Sequence, residues 1–176
     1  MSAKVFVSFG THEQPFTRLM DMLVELSEKR AVSIMIQSGY TQVPKALLNS
    51  KNETVMPHNQ YLEAVRDCDV FITQSSPGNI FGALELQKLP IIVPRLHEFG
   101  EHVDSHQTFF GLYAHTCGWA LLAEDSSELM GRFDELQIMG RQGQSLTTEK
   151  FLVASHARTQ LFVNQFSSFV EESFNE

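Results

Sequence analysis

Short apolar runs alternate along this chain with stretches in which apolar residues recur every three to four positions. Residues 4–9 (KVFVSF), 31–37, 70–72 and 91–93 are brief and apolar, and small or turn-forming residues close them, which suits buried strands better than helices. After the first run, Phe16, Leu19, Met20, Leu23, Val24 and Leu26 share a helical face, while Arg18, Asp21, Glu25 and Glu28 fall largely opposite. Further along, residues 53–56 read as a short strand and 60–66 as a compact helix capped by Asn59. Residues 80–87 and 108–115 are helix-compatible and 119–123 strand-like. Residues 128–136 form a helix with Ser126 or Ser127 as N-cap. Strands and helices alternate throughout, which predicts an α/β fold: a mostly parallel, doubly wound sheet with helices on both faces and right-handed crossovers.

Residues 140–148 (GRQGQSLTT) read as a loop. Beyond it Phe151, Leu161, Phe162, Phe166, Phe169, Val170 and Phe174 supply a wide apolar face on a long final helix. The pattern therefore divides the chain into a domain over 1–150 and an amphipathic helix over 151–176. That helix either covers the domain's own sheet or packs onto a partner.

The strand candidates end in polar groups. The run at 70–72 leads into TQSSPGN (73–79), and the run at 91–93 into a loop carrying Arg95, His97, Glu98, Glu101, His102, Asp104, His106 and Gln107. In open α/β sheets ligands bind outside the carboxyl ends of the strands, so these segments are the candidate ligand site. Gly10 (in GTHEQP, 10–15) and Gly78 each sit in a turn that opens a helix, where free backbone N–H groups attract anions. Two such termini converging on one crevice suit a pyrophosphate; the alternative is a pair of tight turns. His12, beside Gly10, either contacts phosphate, assists proton transfer or is structural. His102, Asp104 and His106 are metal-ligand types in alternation, but alternation in a loop guarantees no common face and the same groups serve as hydrogen-bonding residues, so no metal is expected. Ser75 and Ser76 lack the His and Asp arrangement that a nucleophilic serine requires.

Composition narrows the function classes. At 176 residues, 43% hydrophobic and 19% charged, the chain is most simply one globular domain. A formal charge of -8 and the lack of a basic run give no general reason to bind nucleic acid, so an anionic ligand must be held by local donors. Cys68 and Cys117 stand in no metal or redox spacing, which points to a reducing compartment. No stretch approaches the roughly 20 apolar residues that span a bilayer, and the N-terminus lacks a secretory h-region, so a cytoplasmic location is expected. GxGxxG, GxxxxGK[ST] and GxSxG are all missing, which removes the main signatures of dinucleotide, P-loop and α/β-hydrolase enzymes.

The segments VSFGTHEQPFTRL, PGNIFGAL, PIIVPR, FGEH and DSHQ, in this order over roughly residues 4–125, closely resemble the C-terminal-domain family of glycosyltransferase family 28. Within it, the chain is most similar to the small catalytic subunits of two-component bacterial exopolysaccharide glycosyltransferases, whose eukaryotic counterpart is the cytosolic subunit of the dolichol-linked N-acetylglucosaminyltransferase. The resemblance implies a Rossmann-like fold, the donor-binding half of a GT-B glycosyltransferase, taking a UDP-sugar as donor substrate with no further cofactor. Matched residue by residue, it places Gly10, Thr11 and His12 near the diphosphate, with His12 as the catalytic candidate. It places Gln74, Ser75, Ser76, Pro77, Gly78 and Asn79 in the second turn, and Arg95, Glu101, His102, His106 and Gln107 in a loop over nucleotide and sugar. The chain departs from the family pattern at Gln74, Ser75 and Ser76, where a His and small residues are usual, at Asn79, where a Ser is common, and at Gly82, where an acidic residue, a candidate ribose contact, is frequent; Glu85, one turn on, shares that helix face.

The function so implied is inverting transfer from a UDP-sugar to a lipid-linked saccharide in surface-glycan synthesis, with a membrane-anchored acceptor-binding subunit as partner and the cytosolic membrane face as the place of work. Metal is not expected to be essential for this transfer. The competing reading is a non-catalytic nucleotide-sugar-binding or stabilising subunit. A sugar-nucleotide epimerase-like enzyme is a third, less favoured because that fold carries both halves in one chain.

Overall fold

The computed structural model describes residues 2–47 and 50–141. Strands β1 (Ala3–Ser8), β2 (Val32–Gln37), β3 (Lys51–Glu53), β4 (Val70–Gln74), β5 (Ile91–Val93) and β6 (Leu121–Leu122) form one sheet in the order β3-β2-β1-β4-β5-β6. Every neighbouring pair is parallel, with β1 in register with β2 through Ala3 and Val32 and with β4 through Val5 and Val70. The expected doubly wound α/β sheet is therefore present and wholly parallel, in the Rossmann order. Strand order reverses between β1 and β4, where their connections leave in opposite directions and a crevice opens at the carboxyl edge.

Helices α1 (Thr17–Lys29), α2 (His58–Asp67), α3 (Pro77–Glu85), α4 (His106–Thr116) and α5 (Ser126–Arg141) complete the described fold. Because side chains alternate across a strand, each central strand feeds two cores. Val5 and Val7 of β1 join Ile34, Ile36, Val70 and Ile72 against Leu19 and Leu23 of α1 and Leu129 and Phe133 of α5. Phe6 and Phe71, one position out of step, pack with Val65, Cys68 and Ala83 on the other side. There the two rings stack at 5.5 Å and Tyr61 meets Phe6 edge-on at 5.4 Å. Arg30 clasps Asp134 with two hydrogen bonds of 2.8 and 2.6 Å, joining α1 to α5.

Several boundaries differ from the sequence expectation, each for a local reason. The third strand occupies Lys51–Glu53, not 53–56, because β2 pairs with it only as far as Gln37 and Glu53. The next carbonyl, of Thr54, is taken by the Gly39 amide and by Gln37 Nε2, which turns the chain away from the sheet. Helix α2 starts at His58 with Pro57 at the N-cap position and no side-chain cap, so Asn59 lies inside the helix. Helix α3 starts at Pro77 because proline suits the first helical position and Ser76 caps it; it stops before Gln87, whose φ is +59°. Helix α4 begins two residues early, at His106. In α5 the cap is Asp125, whose Oδ1 accepts from the Glu128 amide at 2.8 Å, and the helix runs through 140–141, expected as loop. The amphipathic helix expected over 151–176 lies outside the described residues. Among those described, no helix is long and apolar enough to cross a membrane.

Candidate functional site

The crevice at the strand-order reversal is floored by side chains that bond to one another. Ser8 Oγ donates to Gln37 Oε1 at 2.7 Å, and Gln37 Nε2 donates to the carbonyls of Gly10 (3.1 Å) and Thr54 (3.2 Å), which welds the ends of β1, β2 and the segment after β3. Two glycines are obligatory here. Gly10 has φ +74° and a Cβ would collide with the Gln74 carboxamide; Gly39 has φ +55° and a Cβ would strike the Gly10 carbonyl. Above this floor lies a cleft of about 500 Å³ whose lining includes Gly10, Thr11, Tyr61, Gln74, Ser76, Gly78, Asn79 and Gly82.

At α3 the backbone offers a small anion site. Pro77 has no N–H, the Asn79 amide donates to Ser76 Oγ (3.4 Å) and the Ile80 amide to the Ser76 carbonyl (3.1 Å), leaving the Gly78 amide at the positive end of the helix. Asn79 Nδ2 donates to Thr73 Oγ1 at 2.7 Å, and Thr73 donates to the Ser8 carbonyl, so the turn is pinned to β1. The glycine turns at Gly10 and Gly78 meet in this one cleft, as expected, but the first turn of α1 does not reach it. Pro15, Thr17 and Arg18 at the start of α1 line a separate cleft of about 450 Å³, together with Asp21, Glu101, Glu124 and Asp125. Those carboxylates make it a poor host for a diphosphate. A still larger groove, about 950 Å³, lies along β1, β2 and α2 rather than at the carboxyl ends of the strands.

Arg95 lies beneath the crevice, not on its lining. It is 1% exposed, and its guanidinium donates to the carbonyls of Phe9 (2.9 Å), Gln14 (2.7 Å) and Glu101 (2.9 Å) and to Gln74 Oε1 (2.7 Å). Burial lowers its pKa to about 10, opposed by the Glu101 charge. Gln107 is equally buried: its Oε1 accepts from the Arg95 amide and its Nε2 donates to Gln74 Oε1. Glu101 accepts two hydrogen bonds from Arg18 (3.2 and 2.9 Å) and one from the Leu96 amide. Ser75 is fully buried, its Oγ unpartnered and close to Gly111, where a Cβ would come within 2.6 Å. Arg95, Gln107 and Glu101 brace the loops that frame the crevice.

Three imidazoles gather where the turn after β1 meets the loop after β5, outside the lining of the cleft. His12 and His102 have ring centroids 4.3 Å apart, and His102 and His106 4.6 Å. His102 is buried, and burial together with the neighbouring His12 and His106 holds its pKa below the ordinary histidine value, so it is neutral at pH 7. His106 donates its backbone N–H to Asp104 and touches the same carboxylate through Nδ1, which lowers the Asp104 pKa.

Tyr61 escaped the sequence reading. It lines the cleft, and burial pushes its phenol up to about 12. Its hydroxyl neighbours Ser8 but makes no hydrogen bond of ordinary geometry. The signal was thin, because α2 reads as an ordinary surface helix. Gln37 and Arg18 were also passed over; a lone polar residue closing an apolar run was the available hint for Gln37.

The same architecture occurs in known proteins. The model of the glycosyltransferase family 28 C-terminal domain matches residues 4–157. Among solved structures, the chain is similar to the glycotransferase of kitacinnamycin (TM-score 0.66, 16% identity, covering 93% of this chain and 43% of that one). It is also similar to CalG4, the calicheamicin glycosyltransferase (0.59, 12%, 94% and 42%), and to MurG of Acinetobacter baumannii (0.52, 18%, 88% and 49%). No curated protein sequence matches. The chain spans less than half the length of each of these structures, which are GT-B glycosyltransferases. With a family match over most of its length and the wholly parallel Rossmann-like sheet of a GT-B half, the chain belongs to the glycosyltransferase family 28 C-terminal-domain family.

Proposed function

We propose that the chain is the donor-binding half of an inverting glycosyltransferase, holding a UDP-sugar in the crevice between the ends of β1 and β4. The glycosyltransferase role follows from family membership. What supports the donor assignment is the crevice itself: an uncharged, hydroxyl-rich and amide-rich cleft with the Gly78 N–H and the α3 dipole at one wall. In the reaction an acceptor hydroxyl attacks the anomeric carbon as the bond to the diphosphate breaks. Charge grows on the departing UDP, where the Gly78 amide, the Ser76 and Thr11 hydroxyls and, next to Thr11, His12 stabilise it. Arg95, Glu101 and Gln107 act beneath, by holding the loops in place. No metal is needed for this step, and the general base comes from the acceptor side.

A chain of this length supplies one side of the cleft, and the acceptor side comes from polypeptide outside these 176 residues. We assign it to a membrane-anchored subunit that presents a lipid-linked saccharide for exopolysaccharide or related surface-glycan synthesis, and that draws this otherwise cytoplasmic chain to the cytosolic membrane face. The departures at Gln74, Ser75, Ser76 and Gly82 favour a second reading, a subunit that binds nucleotide-sugar or stabilises its partner without catalysing transfer.

Calorimetric titration of the full chain with UDP, GDP and TDP tests the donor assignment, with UDP expected to bind best and EDTA expected to leave binding unchanged. Absence of UDP binding, or loss of it in EDTA, would contradict it. Co-expression with an acceptor-domain subunit and assay of sugar transfer separates the two roles: His12→Ala should cut transfer at least tenfold with the complex intact if the chain is catalytic, and leave it unchanged if the chain only supports its partner.

A further inference from the structure

Just before and at the first turn of α4, His102, Asp104 and His106 each bring a ligand atom to within 4.8 Å of the others. His102 Nδ1 lies 3.6 Å from Asp104 Oδ1, and His106 Nδ1 touches the same oxygen. Part of this has an ordinary cause: Asp104 accepts the His106 backbone N–H at 3.0 Å and so caps α4. Capping does not account for His102, whose side chain is 8% exposed and whose Nδ1 is buried without a hydrogen-bond partner. Such an atom normally has one.

We infer that His102, Asp104 and His106 form a three-ligand site for a transition-metal dication of the zinc class. Two imidazole nitrogens and one carboxylate oxygen are the donor set these ions take, whereas magnesium and calcium take oxygen ligands. Ligand bonds of about 2.0–2.2 Å around a tetrahedral ion place the ligand atoms about 3.2–3.6 Å apart. The His102–Asp104 separation of 3.6 Å already meets that spacing, whereas Asp104 and His106, in direct contact and both exposed, must part to admit the ion. The backbone at the first ligand is held from within: Arg95 binds the Glu101 carbonyl and His97 Nδ1 bonds to the His102 carbonyl at 3.0 Å. His102 is thus a preset ligand, and the exposed Asp104 and His106 close on the ion from solvent, which supplies the remaining position. The site goes beyond the nucleotide-sugar reading and does not depend on it.

Titration of the full chain with Zn²⁺ alone, without nucleotide, should show one ion per chain at micromolar affinity or tighter, and Mg²⁺ at millimolar concentration should give no binding heat. Asp104→Asn, which keeps a helix-capping side chain, and His106→Ala are at exposed positions and test the site without disturbing the core. Each should weaken Zn²⁺ by at least about tenfold, and Zn²⁺ should raise the Tm of the wild type but not of the double variant. No saturable Zn²⁺ binding by the wild type, or equal binding by the double variant, would overturn the assignment.

Discussion

Arg95 Nε donates to Gln74 Oε1 at 2.7 Å, so the loop after β5 is tied to the last residue of β4 by two buried side chains. The same Gln74 carboxamide lies where a Cβ of Gly10 would be, and its oxygen also accepts from Gln107. One side chain thus sets the relative height of the loops after β1, β4 and β5.

Arg95→Lys should therefore act on stability. A lysine presents a point charge instead of a fork and cannot reach the Phe9, Gln14 and Glu101 carbonyls and Gln74 together. A loss of about 2–4 kcal/mol is expected from carbonyls left unsatisfied in the interior. Urea denaturation measures it, and an unchanged midpoint would show that the network carries little energy.

Tyr61→Phe separates a structural phenol from a ligand contact. Removing a buried hydroxyl that has no partner should leave stability unchanged or raise it by about 1 kcal/mol. If the cleft holds a nucleotide-sugar, the same change weakens UDP binding by roughly fivefold, the worth of one neutral hydrogen bond. Calorimetry and thermal melts on one sample give both readouts, and a fall in stability with no change in binding would remove Tyr61 from the site.

Gly82→Glu should strengthen donor binding. Gly82 lines the cleft from inside α3 and a Cβ there meets nothing within 4 Å, so a carboxylate can be added without a clash. It would supply the acidic residue that the family resemblance gives as a candidate ribose contact, and leaving glycine adds about 0.5–1 kcal/mol of helix stability. UDP affinity is expected to rise severalfold. A more stable variant with unaltered affinity would mean that the ribose lies elsewhere.

The two cysteines should differ in reactivity and leave a trace in the pH dependence of folding. Burial pushes the Cys68 thiol up to about 11, while Cys117 is exposed. Iodoacetamide at pH 8 should label Cys117 and reach Cys68 only in denaturant. A pKa raised in the folded state gives a contribution fully present below the unfolded value of about 8.5, and it fades as pH climbs towards the folded value. Stability should fall by about 1.4 kcal/mol per pH unit from Cys68 alone within that window, and Tyr61, raised from 10 to about 12, extends the fall to higher pH. Denaturation midpoints between pH 8 and 11 check this, and Cys68→Ala should flatten the lower part of the slope.

Most of the architecture was legible in the order of residues. The fully buried β4 and the one-sided α1 declare themselves through period and length, because burying apolar area is what stabilises them. Glycines at positions 10 and 78 and the Ser76-Pro77 pair marked the turns that frame the crevice. The boundary of β3 and the cap of α5 escape the pattern because a few bonds decide them, the Gly39 amide and Gln37 Nε2 to the Thr54 carbonyl in one case and the Glu128 amide to Asp125 in the other.

The direction in which each polar side chain points could not be read from spacing. Arg95, Glu101 and Gln107 stand in a polar run that suggested a ligand face, yet their partners are carbonyls and side chains many residues away, and the structure turns them inward. Conversely, His102, Asp104 and His106 converge although a loop's alternation dictates no shared side, and Tyr61 enters the cleft from a helix with no distinguishing pattern. Local sequence determined the strands, the helices and the edge of the sheet at which a ligand would bind, since backbone geometry and hydrophobic period act over a few residues. Which polar groups face that ligand and which hold the frame was decided by long-range hydrogen bonds, made only once β1, β4 and β5 lie side by side.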